Sequence, residues 1–142
     1  MSKPKLTTAD YPISEARPDL IKGRRGKGLE ELTLDKLMTG EVTLEDLRIT
    51  PDALKLQGEV AEAAGRPTLA KNFERAAELA DVPQDVIMRI YELLRPGRAK
   101  SKDDLLAAAA ELRDQNNAKR MAAFVEEAAE VYEKRGLFVR RF

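Results

Sequence analysis

The 142-residue sequence contains no histidine, no cysteine and no tryptophan. Without histidine there is no imidazole to act as a general base and no Ser-His-Asp triad. Without cysteine and histidine the chain cannot form a zinc finger, a thiolate nucleophile, a histidine-ligated haem site or an iron–sulfur cluster. The sequence therefore excludes the commonest catalytic and metal-binding chemistries for this chain on its own.

Large apolar side chains and long apolar runs are also scarce. Hydrophobic residues make up 43% of the chain, but 20 of them are alanines and only seven are aromatic. A chain of this length can fold as one domain, yet alanine adds little to the buried area, so the core is thin. No apolar run approaches the ~18 residues that span a bilayer. Residues 1–14 lack the apolar stretch of a secretory signal, and we expect a cytoplasmic protein.

The net charge is zero, so the whole chain has no field that would attract DNA or an anionic membrane. The sharpest local charge feature is the run of four basic residues and three glycines at 22–28. It could contact phosphates, but it is short and lacks the aromatic residues that stack on bases. It is not a P-loop, because no strand precedes it. A flexible arm, or an arm that docks on an acidic partner surface, is the favoured interpretation.

Helix signals begin near residue 30 and recur along the rest of the chain. Residues 1–29 contain three prolines and three glycines without a helical or strand period. The sequence predicts an extended N-terminal arm over 1–29 and a single compact, all-α domain of about five to seven helices over 30–142. Thr50-Pro51, for example, predicts a helix that ends at Gly65. The apolar phase slips near 115–117, which favours two helices with a break, although one bent helix would give a similar pattern.

Acidic pairs one helical turn apart, Glu74/Glu78 and Glu126/Glu130, are candidates for metal or acid–base chemistry. A di-iron bundle also needs Glu-x-x-His motifs, which this sequence cannot supply. Solvated helix faces with neighbouring Lys and Arg are the favoured interpretation. The sequence therefore predicts no catalytic, cofactor-binding or metal-binding residue on this chain.

A set of uncommon motifs covers about residues 10–135 in order: DYP, LTLDKLMTGEVTLEDLRITPDALKLQ, AGRPTLAKNFERAAELADVP, IYELLRPGR, SKDDLLAAAAEL and AAFVEEAAEVYEKR. This set resembles the small (gamma) subunit of adenosylcobalamin-dependent diol and glycerol dehydratases. The chain starts close to the DYP motif, without the longer N-terminal extension of some diol dehydratase members. The resemblance therefore leaves open whether the protein lies in the open cytoplasm or in a bacterial microcompartment.

The resemblance implies a complex with two copies each of a large (alpha), a medium (beta) and a small subunit. It implies that the large subunit encloses the substrate, that adenosylcobalamin lies between the large and medium subunits, and that a radical reaction converts a 1,2-diol or glycerol to an aldehyde. The cofactor supplies that chemistry, the protein encloses it, and the small subunit carries no catalytic residue. Neither nucleic acid nor membrane is implied as a partner. The choice between propane-1,2-diol and glycerol is not indicated.

On this resemblance, five residues are predicted to build or brace the interface with the large subunit: Asn72, Phe73, Arg75, Tyr91 and Arg95. Phe73 could equally be a core residue with polar surface neighbours, and composition does not decide. Two other functions stay open. A stand-alone helical adaptor or nucleic-acid-binding module would use the basic arm and bind in a salt-dependent manner. An independent carboxylate-metal enzyme would take up metal by itself.

Overall fold

The prediction of an all-α fold is confirmed by the computed structural model, which describes residues 3–139 and contains no strand within them. The basic tail Arg140-Arg141 lies outside the described residues. Five helices of 11–17 residues are accompanied by three short ones. They are α1 (Ile13–Ala16), α2 (Leu34–Met38), α3 (Leu44–Leu47), α4 (Pro51–Ala63), α5 (Pro67–Leu79), α6 (Gln84–Leu94), α7 (Lys102–Asp114) and α8 (Lys119–Arg135).

The chain divides into two compact units, residues 1–80 and 81–142. The sequence-based boundary between an arm (1–29) and a helical domain (30–142) stays a prediction. No helix within 3–139 is long and apolar enough to cross a membrane.

A helical hairpin of α4 and α5 forms the centre of the first unit. The hydroxyl of Thr50 accepts a hydrogen bond from the Ala53 N–H, and Pro51 occupies the first turn, as the sequence predicted. Gly65 ends α4 with φ +72°, a left-handed conformation that glycine adopts without strain. A short connection of this kind returns the second helix along the first.

The N-terminal segment packs against α4 in this unit. Leu6 and Ile13 are buried with Val60, and the backbone N–H of Leu6 donates to the carboxylate of Glu59 at 2.9 Å. Three of the short helical turns, including α1, lie between residues 8 and 20. The predicted arm therefore contains local helical turns and contributes side chains to the core of the first unit.

The second unit contains α6, α7 and α8. Alanines lie buried along α7 and α8 and permit close helix packing around Leu105, Leu112 and Val125. The predicted break is confirmed: α7 ends at Asp114, Asn117 has φ +53°, and the Ala118 N–H donates to the Leu112 carbonyl at 2.8 Å. A left-handed residue followed by such a backward hydrogen bond ends a helix, so one bent helix is excluded.

Candidate subunit interface

Three of the predicted interface residues, Asn72, Phe73 and Arg75, lie on α5. Asn72 is exposed and Arg75 half-buried, and the guanidinium of Arg75 donates to the side-chain oxygen of Asn72. Phe73 is half-buried on the side that faces α4, since a methyl group added at Gly58 would lie 3.5 Å from its Cβ. Phe73 therefore packs within its own unit, whereas Asn72 and Arg75 bind each other on the polar side of α5.

The other two predicted residues belong to α6 and its C-terminal end. Tyr91 is 59% exposed and lies one turn from Met88, which is also exposed. The guanidinium of Arg95 donates to the carboxylate of Glu92 at 2.9 Å. Tyr91 and Met88 therefore form a small apolar face, and Arg95 is held beside it by an exposed ion pair.

The basic run 22–28 folds into a closed turn. The Gly23 N–H donates to the Lys27 carbonyl at 2.8 Å and the Gly26 N–H to the Gly23 carbonyl at 2.9 Å. Lys22 and Gly28 form an isolated antiparallel bridge. Gly26 has φ +82°, so the turn uses a conformation that favours glycine. The expected flexible arm is therefore a defined turn in the structure.

Arg25 at the tip of this turn binds Asp46, a buried carboxylate in α3 that is 2% exposed. Its Nε donates to Asp46 Oδ1 at 2.8 Å, and its Nη2 donates to Asp46 Oδ2 and to the Glu41 carbonyl. The backbone N–H of Thr43 also donates to Asp46, at 2.9 Å. The hydrogen bond from Arg25 holds the pKa of the Asp46 carboxyl well below its usual range. The acidic surface on which the turn docks thus belongs to this same chain.

Two further contacts fix the turn against its unit. A Cβ at position 23 would lie 2.8 Å from the Asp46 carbonyl oxygen, so only glycine allows this approach of the two backbones. The guanidinium of Arg24 donates to the Ala80 carbonyl at 2.8 Å. Two of the four basic side chains of the run are therefore engaged within the chain, which does not favour the nucleic-acid-binding alternative.

Exposed apolar side chains are concentrated in residues 29–49, here called the 29–49 segment. It contains seven of the fourteen large apolar residues that are exposed among residues 3–139. They are Leu29, Leu34, Leu37, Met38, Leu44, Leu47 and Ile49. The sequence analysis did not single them out as interface residues. The signal was their helical spacing in helices of only four or five residues.

One of the two acidic pairs of the sequence analysis, Glu126/Glu130, lies on an ion-paired face of α8. Lys102 binds Glu130 at 2.7 Å and Glu133 at 2.8 Å, and Arg113 binds Glu126. Within the described part of the chain, no group of three or more acidic, histidine or cysteine residues is arranged to hold a metal ion. Nothing in this geometry favours the carboxylate-metal alternative.

The melting temperature is expected to be constant between pH 6 and 8 and to fall below about pH 4. Arg25 lowers the pKa of Asp46 and Lys102 that of Glu130, so these carboxylates stabilise the fold above their unfolded pKa values, about 4. Their contribution is lost as the pH falls through the folded values. Glu130 raises the pKa of Lys102, whose contribution is complete below about pH 10. With no histidine, a shift between pH 6 and 8 in thermal melts would contradict this.

Comparison with known proteins identifies the family of this chain. A family model described as dehydratase small subunit matches residues 6–139. The chain belongs to the dehydratase small-subunit family. Its relatives include the propanediol dehydratase small subunit of Citrobacter freundii, 48% identical over 126 residues, 89% of this chain and 73% of the relative. The subunit of that name from Salmonella typhimurium is 47% identical over 127 residues, with the same coverage.

Membership of a small-subunit family implies partner subunits of a dehydratase complex. The predicted family resemblance is therefore confirmed, and the surfaces described above are candidates for contact with those partners.

Proposed function

We propose that this chain is the non-catalytic small subunit of a propanediol or glycerol dehydratase, a carbon–oxygen lyase, and that it stabilises the large catalytic subunit. The observation that carries the proposal is the 47–48% identity to propanediol dehydratase small subunits over 89% of the chain. The partners are a large and a medium subunit, two copies of each with two small subunits. The exposed apolar side chains support a protein that works in an assembly.

The reaction would use adenosylcobalamin, but the residues of this chain do not fit that group. No histidine is present to ligate cobalt, and the fully buried positions of the second unit are filled by alanine, leucine and valine. We assign the cofactor, the substrate and every chemical step to the other subunits. This chain contributes buried surface and positions its partner.

The proposal is tested by co-expressing the chain with the large and medium dehydratase subunits of its own organism, with an affinity tag on the large subunit. We expect the three chains to co-purify in a 1:1:1 ratio and native mass spectrometry to give two copies of each. Recovery of the large subunit without this chain, at equal expression, would refute the proposal.

The five predicted residues remain part of this proposal, with Asn72, Phe73 and Arg75 bracing one contact and Tyr91 and Arg95 another. Arg75→Glu is expected to reduce co-purification while the melting temperature of the chain changes little, because a reversed charge at an interface opposes association. Lys71→Glu, an exposed charge reversal on the same helix, is the matched control. Wild-type recovery of the Arg75→Glu subunit would remove Arg75 from the interface.

A further inference from the structure

The apolar stripe of α2 faces solvent. Leu34, Leu37 and Met38 follow the i, i+3, i+4 spacing of one helix face, which in a globular protein normally packs on the core. Here these side chains are 71%, 44% and 79% exposed, and α2 has no buried residue. Leu44 and Leu47 on α3 repeat the pattern at i, i+3, both exposed. The 29–49 segment therefore directs seven of its nine large apolar side chains outward.

The backbone that carries these side chains is anchored in the first unit. Val42, between α2 and α3, is 3% exposed, and Asp46 is bound by Arg25 and by the Thr43 N–H. Arg25 also reaches the Glu41 carbonyl at 2.9 Å. Contacts of this kind lower the entropy that the segment would lose on binding, because its backbone is already ordered.

The charge of the segment indicates the chemistry of its partner. It contains six acidic and two basic residues. Asp46 is neutralised by Arg25, and Arg48 pairs with Glu45 at 3.4 Å. The acidic side chains Glu30, Asp35 and Glu41 are exposed among the apolar residues. A complementary surface is therefore apolar at its centre and carries Lys or Arg at its rim.

We infer that the 29–49 segment is the surface through which this chain docks on the large dehydratase subunit, against an apolar face rimmed by Lys and Arg. The inference rests on the proposed function, which makes the large subunit the partner that this chain stabilises. Seven exposed large apolar side chains within 21 residues are typical of an interaction site on a soluble protein. Burial of the leucines on α2 and α3 supplies affinity, and the acidic side chains set orientation and association rate.

A competition experiment tests the apolar part. The large and medium subunits are co-expressed with equal amounts of wild-type and variant small subunit, and mass spectrometry gives the ratio in the purified complex. Leu34→Ser is expected to be under-represented about tenfold, whereas Val139→Ser, which alters a side chain of similar exposure (69% against 71%), competes evenly. Equal incorporation of Leu34→Ser, or equal loss of both variants, would overturn the inference. Thermal melts of the full-length variants check that Leu34→Ser leaves the fold intact.

The acidic part is tested in the same format by Asp35→Lys, with the exposed Glu127→Lys on α8 as control. Only Asp35→Lys is expected to lose in competition, by a factor that shrinks as salt is raised. A salt-independent result, or a loss shared by Glu127→Lys, would overturn the basic-rim assignment.

Other partners for the 29–49 segment would give different results in these experiments. If the wild-type chain never co-purifies with the large subunit, the proposed function fails; if it does and Leu34→Ser does equally, only this inference fails. A pairwise pull-down in which the chain binds the medium subunit alone would overturn the assignment to the large subunit. The assignment would also be overturned if the full chain formed a dimer that Leu34→Ser abolishes, while the Leu34→Ser subunit still entered the dehydratase complex normally.

Discussion

Leu112→Ala is expected to lower the free energy of unfolding by about 2–5 kcal/mol. Leu112 is 1% exposed, and four of the other six buried residues of α7 and α8 are alanines, including Ala109 and Ala122. Alanine side chains have no rotamers with which to fill a cavity, so the site cannot collapse and the loss lies toward the upper part of that range. Urea denaturation of the full chain, followed by circular dichroism, measures it.

Leu106→Ala is the matched control, since it makes the same chemical change on the same helix at a side chain that is 37% exposed. It is expected to cost less than about 1 kcal/mol. Equal losses for the two variants would mean that α7 does not bury Leu112 as described.

Arg25→Glu is expected to lower both the melting temperature and the recovery of the chain with its partners. The change removes the guanidinium that neutralises the buried Asp46 and puts a second carboxylate in its place. Arg25→Lys is expected to be intermediate, because it keeps the charge but not the paired hydrogen bonds of the guanidinium. Differential scanning fluorimetry and co-purification measure the two effects.

The control is Arg98→Glu, which alters an exposed cation 3.9 Å from the exposed Glu92 and is expected to have little effect. Adding Asp46→Asn to Arg25→Glu is expected to recover part of the loss, since it removes the repulsion between the two carboxylates. An Arg25→Glu protein as stable as Arg98→Glu would contradict the role given to the Arg25–Asp46 pair.

Local rules predicted the helix ends well. Thr50-Pro51, Gly65 and the break before Lys119 depend on hydrogen bonds within a few residues, and the structure has each of them. A capping box formed by Ser101 and Asp104 begins α7 and is another pattern of this local kind. These signals are readable because the donor, the acceptor and the backbone conformation all lie within one turn.

The Arg25–Asp46 pair was not predicted, because its members lie 21 residues apart and no local rule joins them. Within its own neighbourhood Asp46 is only a capping residue of α3, since it accepts a hydrogen bond from the Thr43 N–H. The ion pair between the exposed Arg25 and the buried Asp46 is accompanied by the close approach of Gly23 to the Asp46 backbone, a tertiary contact. From the sequence, the basic run is therefore interpreted as a flexible arm or as an arm that docks on an acidic partner surface.

The sequence also could not predict that the apolar stripe of α2 is exposed to solvent. Spacing shows that Leu34, Leu37 and Met38 share a face, but not whether that face meets the core of this chain or of another. In the structure, α2 has only five residues, and the chain that follows it is anchored by the buried residues Val42 and Asp46. The apolar face of α2 points to solvent.

The most direct test of the account is a drop-out assay. The large and medium subunits are expressed with and without this chain, and aldehyde is followed after addition of adenosylcobalamin and propane-1,2-diol or glycerol. We expect aldehyde only when both the cofactor and this chain are present. Full activity without the chain would contradict its assignment as a required small subunit of the dehydratase.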